Sequence, residues 1–357
     1  MINRSVGRLV KIPASLGRPY SKLFIVSDSA GWSLDQDALE LLEIARRLNI
    51  RGRISSLRNP SRNQCVHYIS RSWFRDKSIF RTDNRISFDY YHGNPETSAD
   101  FRDTYETLKR FHEKIHRIRV SQSEMERLIL DSGIDPRKVF RIPIGVNLRN
   151  FSRKNEERSM NTRRRLNIPQ DAFVVGSFQK DGKGWGDGLE PKMIKGPDIF
   201  LKTLEIMKKE VPNLWVLLTG PARGYVKSGL ERLGISYAHR FFKDYSEMGD
   251  LYGVLDLYII SSREEGGPKA LLESMASGVP VVSTRVGQVM DLARHGENSF
   301  VVDVEDHRGL ASYGLKIYGD AELRNKMISA GYETAKTNSY ESQTPQWERF
   351  FDGYVES

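Results

Sequence analysis

Only one cysteine, Cys65, occurs in the chain, which leaves no internal disulfide framework and fits a reducing compartment. It lies in the apolar run Cys65-Val66-His67-Tyr68-Ile69, where a buried structural thiol is expected rather than a nucleophile. No run approaches the roughly 18 apolar residues of a membrane span, and the N-terminus lacks the continuous apolar core of a signal peptide. No group of His, Cys, Asp and Glu has metal-ligand spacing, and no segment recurs at a solenoid period. These absences set aside a disulfide-stapled module, an integral membrane protein, a metal-built site and a repeat array. A globular cytoplasmic protein is the expectation.

Length and positive charge, by contrast, are plentiful. At 357 residues, 39% of them hydrophobic, the chain exceeds one ordinary core, so two domains are expected. The net charge of +9 is uneven: residues 1–81 hold 15 Lys and Arg against 6 Asp and Glu, and the remainder holds 40 against 40. A basic N-terminal portion suits an anionic surface such as membrane lipid, a phosphorylated acceptor or nucleic acid, although a solvated face gives the same count.

Lys22-Leu23-Phe24-Ile25-Val26 reads as a first strand, followed by a helix to about residue 49 with Ala38, Leu41, Leu42, Ala45 and Leu48 on one face. Asp35-Gln36-Asp37 has the form of an Asp-x-Asp metal motif. These acids fall in the helix's first turn, where they cap N–H groups and complement the dipole, and the metal reading is rejected. Strands over 53–57, 64–69, 86–91, 118–121 and 139–142, with helices over 98–114 and 123–130, complete a doubly wound unit. Pro143 and Gly145 mark a linker, and the charged stretch 153–165 leads onward. A strand over 173–178 opens a second unit. It continues with a helix from Pro197 to about 210, a strand over 214–219, short helices over 227–233 and 248–254, and helical segments over 322–336 and about 347–354.

The second unit is organised around one stretch. Leu257-Tyr258-Ile259-Ile260 is a buried strand ending in Ser261-Ser262. Gly266 and Gly267 are read as a sharp turn, Pro268 as the start of a helix ending at Gly278, and 279–283 as the next strand. A loop and a helix N-terminus thus sit at the carboxyl end of a strand, where open α/β sheets bind ligands and free N–H groups favour a diphosphate. Glu265 and Glu273 frame the turn. The apolar neighbours of Glu273, among them Ala270, Leu271, Leu272 and Met275, leave it in need of donors such as a ribose diol; pairing with Lys269 one turn earlier is the plain alternative.

The segment Glu265-Gly266-Gly267-Pro268-Lys269-Ala270-Leu271-Leu272-Glu273-Ser274-Met275-Ala276-Ser277-Gly278-Val279-Pro280-Val281-Val282-Ser283-Thr284 resembles the donor-site signature of retaining GT-B glycosyltransferases. That group, glycosyl transferases group 1, includes the glycogen-synthase and sucrose-synthase relatives. The resemblance implies an α/β fold of two doubly wound Rossmann-like domains facing across a cleft. Residues 1–147 would form the acceptor domain, 148–336 the nucleotide-sugar domain, and 337–357 a segment packing back on the first. The implied activity is transfer of a hexosyl group from a nucleoside-diphosphate sugar to a glycan or lipid-linked acceptor with retention, and without a cofactor or bound metal.

Residue by residue, the resemblance implies that Glu273 holds the ribose and that Glu265, with the backbone of Gly266, Gly267, Pro268, Lys269 and Ala270, holds the sugar. Lys195, in Lys195-Gly196, and Lys180 would offset the diphosphate charge. Lys183, in the glycine-rich insertion 181–188, competes with Lys180 for that place. His92 would face the donor sugar from the first domain. Gly31 would approach the diphosphate, and Trp32 would line the acceptor pocket. After Ser283-Thr284 the family's Gly-Gly appears as Gly287-Gln288, a departure that weakens donor contacts there. Expected partners are the nucleotide sugar, the acceptor and an anionic membrane surface at its cytoplasmic face, with no nucleic acid. A nucleotide-sugar epimerase of the same fold lacks a placeable acid and base, and a basic nucleic-acid-binding protein leaves the Glu265–Glu273 spacing unexplained.

Overall fold

The computed structural model describes residues 18–27, 33–241 and 244–356. The first sheet contains β1 (Leu23–Val26), β2 (Gly52–Ser55), β3 (Cys65–Tyr68), β4 (Arg85–Tyr90), β5 (Ile115–Val120) and β6 (Val139–Arg141), all parallel, in the order β2-β1-β3-β4-β5-β6. Helices α1 (Ser33–Arg47), α2 (Ala99–Phe111) and α3 (Ser123–Asp131) connect them. After α4 (Glu156–Arg165) the second sheet follows: β7 (Phe173–Ser177), α5 (Pro197–Glu210), β8 (Leu214–Thr219), α6 (Gly224–Leu233), β9 (Ser236–Arg240), α7 (Met248–Tyr252), β10 (Leu257–Ile260), α8 (Lys269–Ala276), β11 (Val281–Thr284), α9 (Val289–Leu292) and β12 (Phe300–Val302). Its order is β12-β11-β10-β7-β8-β9, again parallel, and α10 (His307–Gly319), α11 (Ala321–Thr337) and α12 (Thr344–Phe351) close the chain. Both sheets are doubly wound, with the order reversing between β1 and β3 and between β7 and β10.

Four elements depart from the expectations of the sequence. The stretch 153–165 is not a bare connector but contains α4, capped by the Asn155 side chain and held by buried Arg163, which donates to the Val254 carbonyl and to Asp256 at 2.7 Å each. Strand β9 is an edge strand with exposed ends, so it has no apolar run to show, and β12 is only three residues long. Helix α10 was masked by its glycines; Gly314 sits where an added Cβ would stand 3.0 Å from Met207 and 3.3 Å from Leu257.

The two units touch where α8 begins. Neither Gly266 nor Gly267 has a positive φ, so a sharp turn is not what calls for glycine there. The reason is proximity: a Cβ on Gly266 would lie 2.5 Å from that of Tyr91, and one on Gly267 would lie 2.8 Å from Ile144 and 2.9 Å from Gln288. Ser121 donates to the Gly266 carbonyl at 2.7 Å, and buried Gln288 exchanges hydrogen bonds with the Ile144 backbone, accepting from its amide at 2.9 Å. Asp37 does more than serve its own helix. Its buried carboxylate accepts from Lys269 at 2.6 Å and from the Tyr340 hydroxyl at 2.8 Å, tying α1 to α8 and to the C-terminal segment. That segment returns to the first unit, where Tyr340, Trp347, Phe350, Phe351 and Tyr354 bury against Leu23, Ile25, Ala38 and Leu41. The Cys65 thiol donates to the Tyr354 carbonyl at 2.9 Å, and burial pushes it up to about 12.

Behind this contact lies a buried charged knot. Arg119 donates to Asp89 at 3.3 Å, to the Tyr91 oxygen at 2.7 Å, and to the linker carbonyls of Ile142 and Pro143 at 2.9 and 2.8 Å. Asp89 also meets His67 at 3.1 Å, which leaves that histidine a structural part of the sheet. Burial alone would raise the Asp89 carboxyl, but Arg119 and His67 outweigh it and hold it below the carboxylate range. Replacement Asp89→Asn therefore strands a buried guanidinium and is expected to cost about 3–5 kcal/mol in denaturant unfolding. Because the folded pKa is depressed, the stability it confers is full at neutral pH and fades as pH falls below about 4. The gap between wild type and variant should close in that direction; a gap unchanged down to acid pH would show that Asp89 is not the ionised member of the knot.

Candidate functional site

The reversal of strand order between β7 and β10 leaves a crevice beyond their carboxyl ends, the place where doubly wound sheets bind ligands. The loops after these strands are pressed together. Gly196 is left-handed, and a Cβ there would fall 1.9 Å from the Ser261 carbonyl oxygen. Gln179 donates to the Lys195 carbonyl at 2.8 Å, Ser261 to the Gly196 carbonyl at 2.9 Å, and the Arg263 amide to the Ile194 carbonyl at 2.8 Å. These contacts bring the Lys195 ammonium 2.6 Å from Glu265, which also accepts from Ser262 at 2.8 Å. Burial would raise the Glu265 carboxyl, but the charge and hydrogen bond of Lys195, then Ser262, hold it below the usual range. Glu265 is ionised at neutral pH.

His92 reaches the same loop from β4 of the first sheet, with Nδ1 3.7 Å from Glu264 and close enough for its charge to help lower Glu265. Lys195, Glu265 and His92 thus converge, although they are far apart in sequence. Glu273 does not pair with Lys269, whose ammonium goes to Asp37. Instead it is buried between two tyrosines: Tyr252 donates at 2.8 Å to one oxygen and Tyr245 to the other. Burial raises its carboxyl, and Lys269 and the two hydroxyls offset this only in part.

Pro268 caps α8 from outside rather than opening it, and Ala270 packs partly buried against the second-unit core. Lys180 stands 4.3 Å over the Trp185 ring, whereas Lys183 is an exposed ion pair with Glu190. Gly31 and Trp32 lie outside the described residues. Among the basic residues of the N-terminal portion, Arg46 and Arg47 pair with Glu43, Arg58 with Asp76, and Arg71 and Arg75 with Asp100.

Tyr245 and Tyr252 belong to the site's immediate frame and had no sequence signal, since each acts on a partner from another element, and Asp37 had a signal only as a helix-capping acid. Arg223 likewise had no signal. Fully buried, it grips Asp181 through two contacts of 3.0 Å and donates to the Ser177 and Thr219 carbonyls, anchoring the glycine-rich insertion. Among the described residues no helix is long and apolar enough to cross a membrane.

Residues 189–334, which include Lys195, Glu265 and Glu273, match the family model described as glycosyl transferases group 1. The chain is 28% identical over 244 residues to a D-inositol 3-phosphate glycosyltransferase of Corynebacterium urealyticum, covering 64% of this chain and 54% of that protein. It is 30% identical over 174 residues to a lipopolysaccharide core biosynthesis glycosyltransferase of Rhizobium meliloti, covering 48% of this chain and 47% of that protein. The chain spans about half the length of the curated relatives it matches. A crystal structure of Anabaena HepE in complex with UDP-glucose superposes with a TM-score of 0.74 at 15% identity, covering 93% of this chain and 99% of that one. At that identity the likeness is one of fold, and the fold is two Rossmann-like domains. Residues 189–334 are thus similar to the glycosyl transferases group 1 family, and the chain carries that segment in a fold of two Rossmann-like sheets, the GT-B architecture.

Proposed function

We propose that this protein transfers a hexosyl group from a nucleoside-diphosphate sugar to a glycan or lipid-linked acceptor, with retention of anomeric configuration. The observation that carries the reading is the Lys195–Glu265 pair at the β7–β10 crevice, in the loop that leads into α8 with its buried Glu273, inside the segment that matches the family. The names of the relatives, and the UDP-glucose held by HepE, support a nucleotide-sugar donor. In this reading residues 148–336 bind the donor, 1–147 the acceptor, and 337–357 brace the two.

Each side chain then has a definite task. Lys195 offsets the negative charge that grows on the diphosphate as the sugar–phosphate bond breaks, the largest kind of term for such a step. Glu265 orients Lys195 and meets the sugar, and His92 meets it from the other side of the cleft. The acceptor oxygen bonds to the anomeric carbon on the face the diphosphate leaves, and its proton passes to a departing phosphate oxygen. Glu273 holds the ribose, since a carboxylate has lone pairs beyond those taken by two tyrosine hydroxyls. The chemistry asks for no cofactor or bound divalent ion. Close packing around Gly266 and Gly267 keeps water from the reacting bond.

Replacement Lys195→Gln is expected to lower kcat about a hundredfold while leaving nucleoside affinity unchanged. Steady-state kinetics with calorimetry separates the two, and equal loss of both would point to a collapsed loop. Glu273→Gln is expected to weaken binding of UDP, GDP, ADP or CDP, whichever the wild type takes, by about 1.5–3 kcal/mol. Unchanged affinity would leave Glu273 a purely structural carboxylate. The basic N-terminal portion would hold the protein at the cytoplasmic membrane face, each cation near an anionic surface contributing about 1 kcal/mol. Flotation should then show binding to anionic vesicles at low salt and release at high salt; equal behaviour toward neutral vesicles would leave these arginines a solvated face.

A further inference from the structure

The insertion between β7 and α5 is fixed more firmly than its glycines suggest. Arg223 locks the Asp181 carboxylate, Gly182 pairs with Pro191 in an antiparallel bridge, and the Lys183 amide donates to the Glu190 carbonyl at 2.8 Å. Glycine is required at 182 and 188, where a Cβ would come within 2.3 Å of the Ala222 backbone. The Lys192 amide then donates to the Asp181 carbonyl at 2.7 Å, so the point where the insertion returns is defined.

At that point the chain makes one turn of 3-10 helix, Met193–Lys195, with Lys192 as its leading cap. The turn is closed by the Lys195 amide donating to the Lys192 carbonyl at 2.8 Å. Residues three apart in such a turn stand one above the other, so Lys192 and Lys195 rise on the same side. Lys195 has Glu265 as its partner, whereas the Lys192 ammonium makes no hydrogen bond or ion pair among the described residues. Its surroundings are crowded with like charge. Although Lys192 keeps contact with solvent, partial burial, and then the charges of Lys195 and Lys180, lower its pKa, with Glu265 opposing. The turn therefore sets a second ammonium beside the Lys195–Glu265 pair, an arrangement that an incoming polyanion would relieve.

We propose that Lys192 is a further cation of the donor site, gripping the diphosphate together with Lys195 and Lys180. This rests on the nucleotide-sugar reading and deepens it. It also assigns the charge-bearing role within the insertion to its returning strand, not to Lys183, whose ammonium is already matched by Glu190. In that role Lys192 would meet the phosphates and not the base, so its loss should be felt by diphosphates alone.

The test is calorimetric titration of wild type, Lys192→Gln, Lys192→Arg and Lys195→Gln with UDP, GDP, ADP and CDP, and with the matching nucleosides. We expect Lys192→Gln to weaken the bound diphosphate about tenfold, the low end for a hydrogen bond between charged groups at an exposed position. Nucleoside affinity and the unfolding midpoint should not move, and Lys192→Arg should restore most of the loss. If Lys195→Gln weakens the diphosphate but Lys192→Gln does not, Lys192 is a solvated surface lysine and this inference alone falls. Equal loss of nucleoside and diphosphate in Lys192→Gln would also overturn it, because the effect would then be a displaced loop. A wild type that binds none of the four diphosphates would overturn the donor-site reading, and the inference with it.

Discussion

The site depends on three positions that cannot carry a Cβ. Gly196 lets the β7 loop lie against Ser261, and Gly266 and Gly267 let the β10 loop lie against Tyr91 and Ile144 of the other unit. Were any of the three to hold a side chain, the loops would be pushed from their neighbours, and the interval between Lys195, Glu265 and His92 would open. At Gly196 and Gly266 the obstructing atoms include backbone, which cannot move aside; at Gly267 they are the buried side chains of Ile144 and Gln288.

The two motif glutamates show how partners decide ionisation when burial is similar. Glu265 has an ammonium within 2.6 Å and is held below the carboxylate range, whereas Glu273 has tyrosine hydroxyls and stays above it. An ammonium in direct contact outweighs desolvation at Glu265; at Glu273 the more distant charge of Lys269 and two neutral hydroxyls offset it only in part. The cation that might have served Glu273, Lys269, is instead committed to Asp37 across the contact between units. Lys269 thereby grips one unit to the other and only partly offsets the burial of Glu273.

Behind the contact, Arg119 joins Asp89, Tyr91 and the linker carbonyls of Ile142 and Pro143. Tyr91 is the residue on which Gly266 rests, and the linker is the segment to which Gln288 and Gln343 also bond. The register of the two units is therefore tied to a buried ionic knot, and not only to apolar packing of the C-terminal helix.

The chain by itself determined the strands whose apolar runs are continuous, such as Leu23–Val26, Leu214–Thr219 and Leu257–Ile260, and hence the doubly wound plan of both units. It also determined the loop–helix junction after β10, because glycine, proline and the following apolar helix leave the backbone few alternatives. What it did not reveal were elements whose stability comes from neighbours: edge strand β9, short β12, glycine-bearing α10 and capped α4. Nor did it reveal the partners of charge. Asp37 reads as a helix-capping acid until Lys269 arrives from 232 positions away, and the i,i+4 spacing of Lys269 and Glu273 suggests a pair that the tertiary structure declines. Local pattern fixes backbone because its forces act over a few residues. The pairing of ionised groups is decided by whichever opposite charge the fold delivers to the same dry space, and that is known only once the units have met.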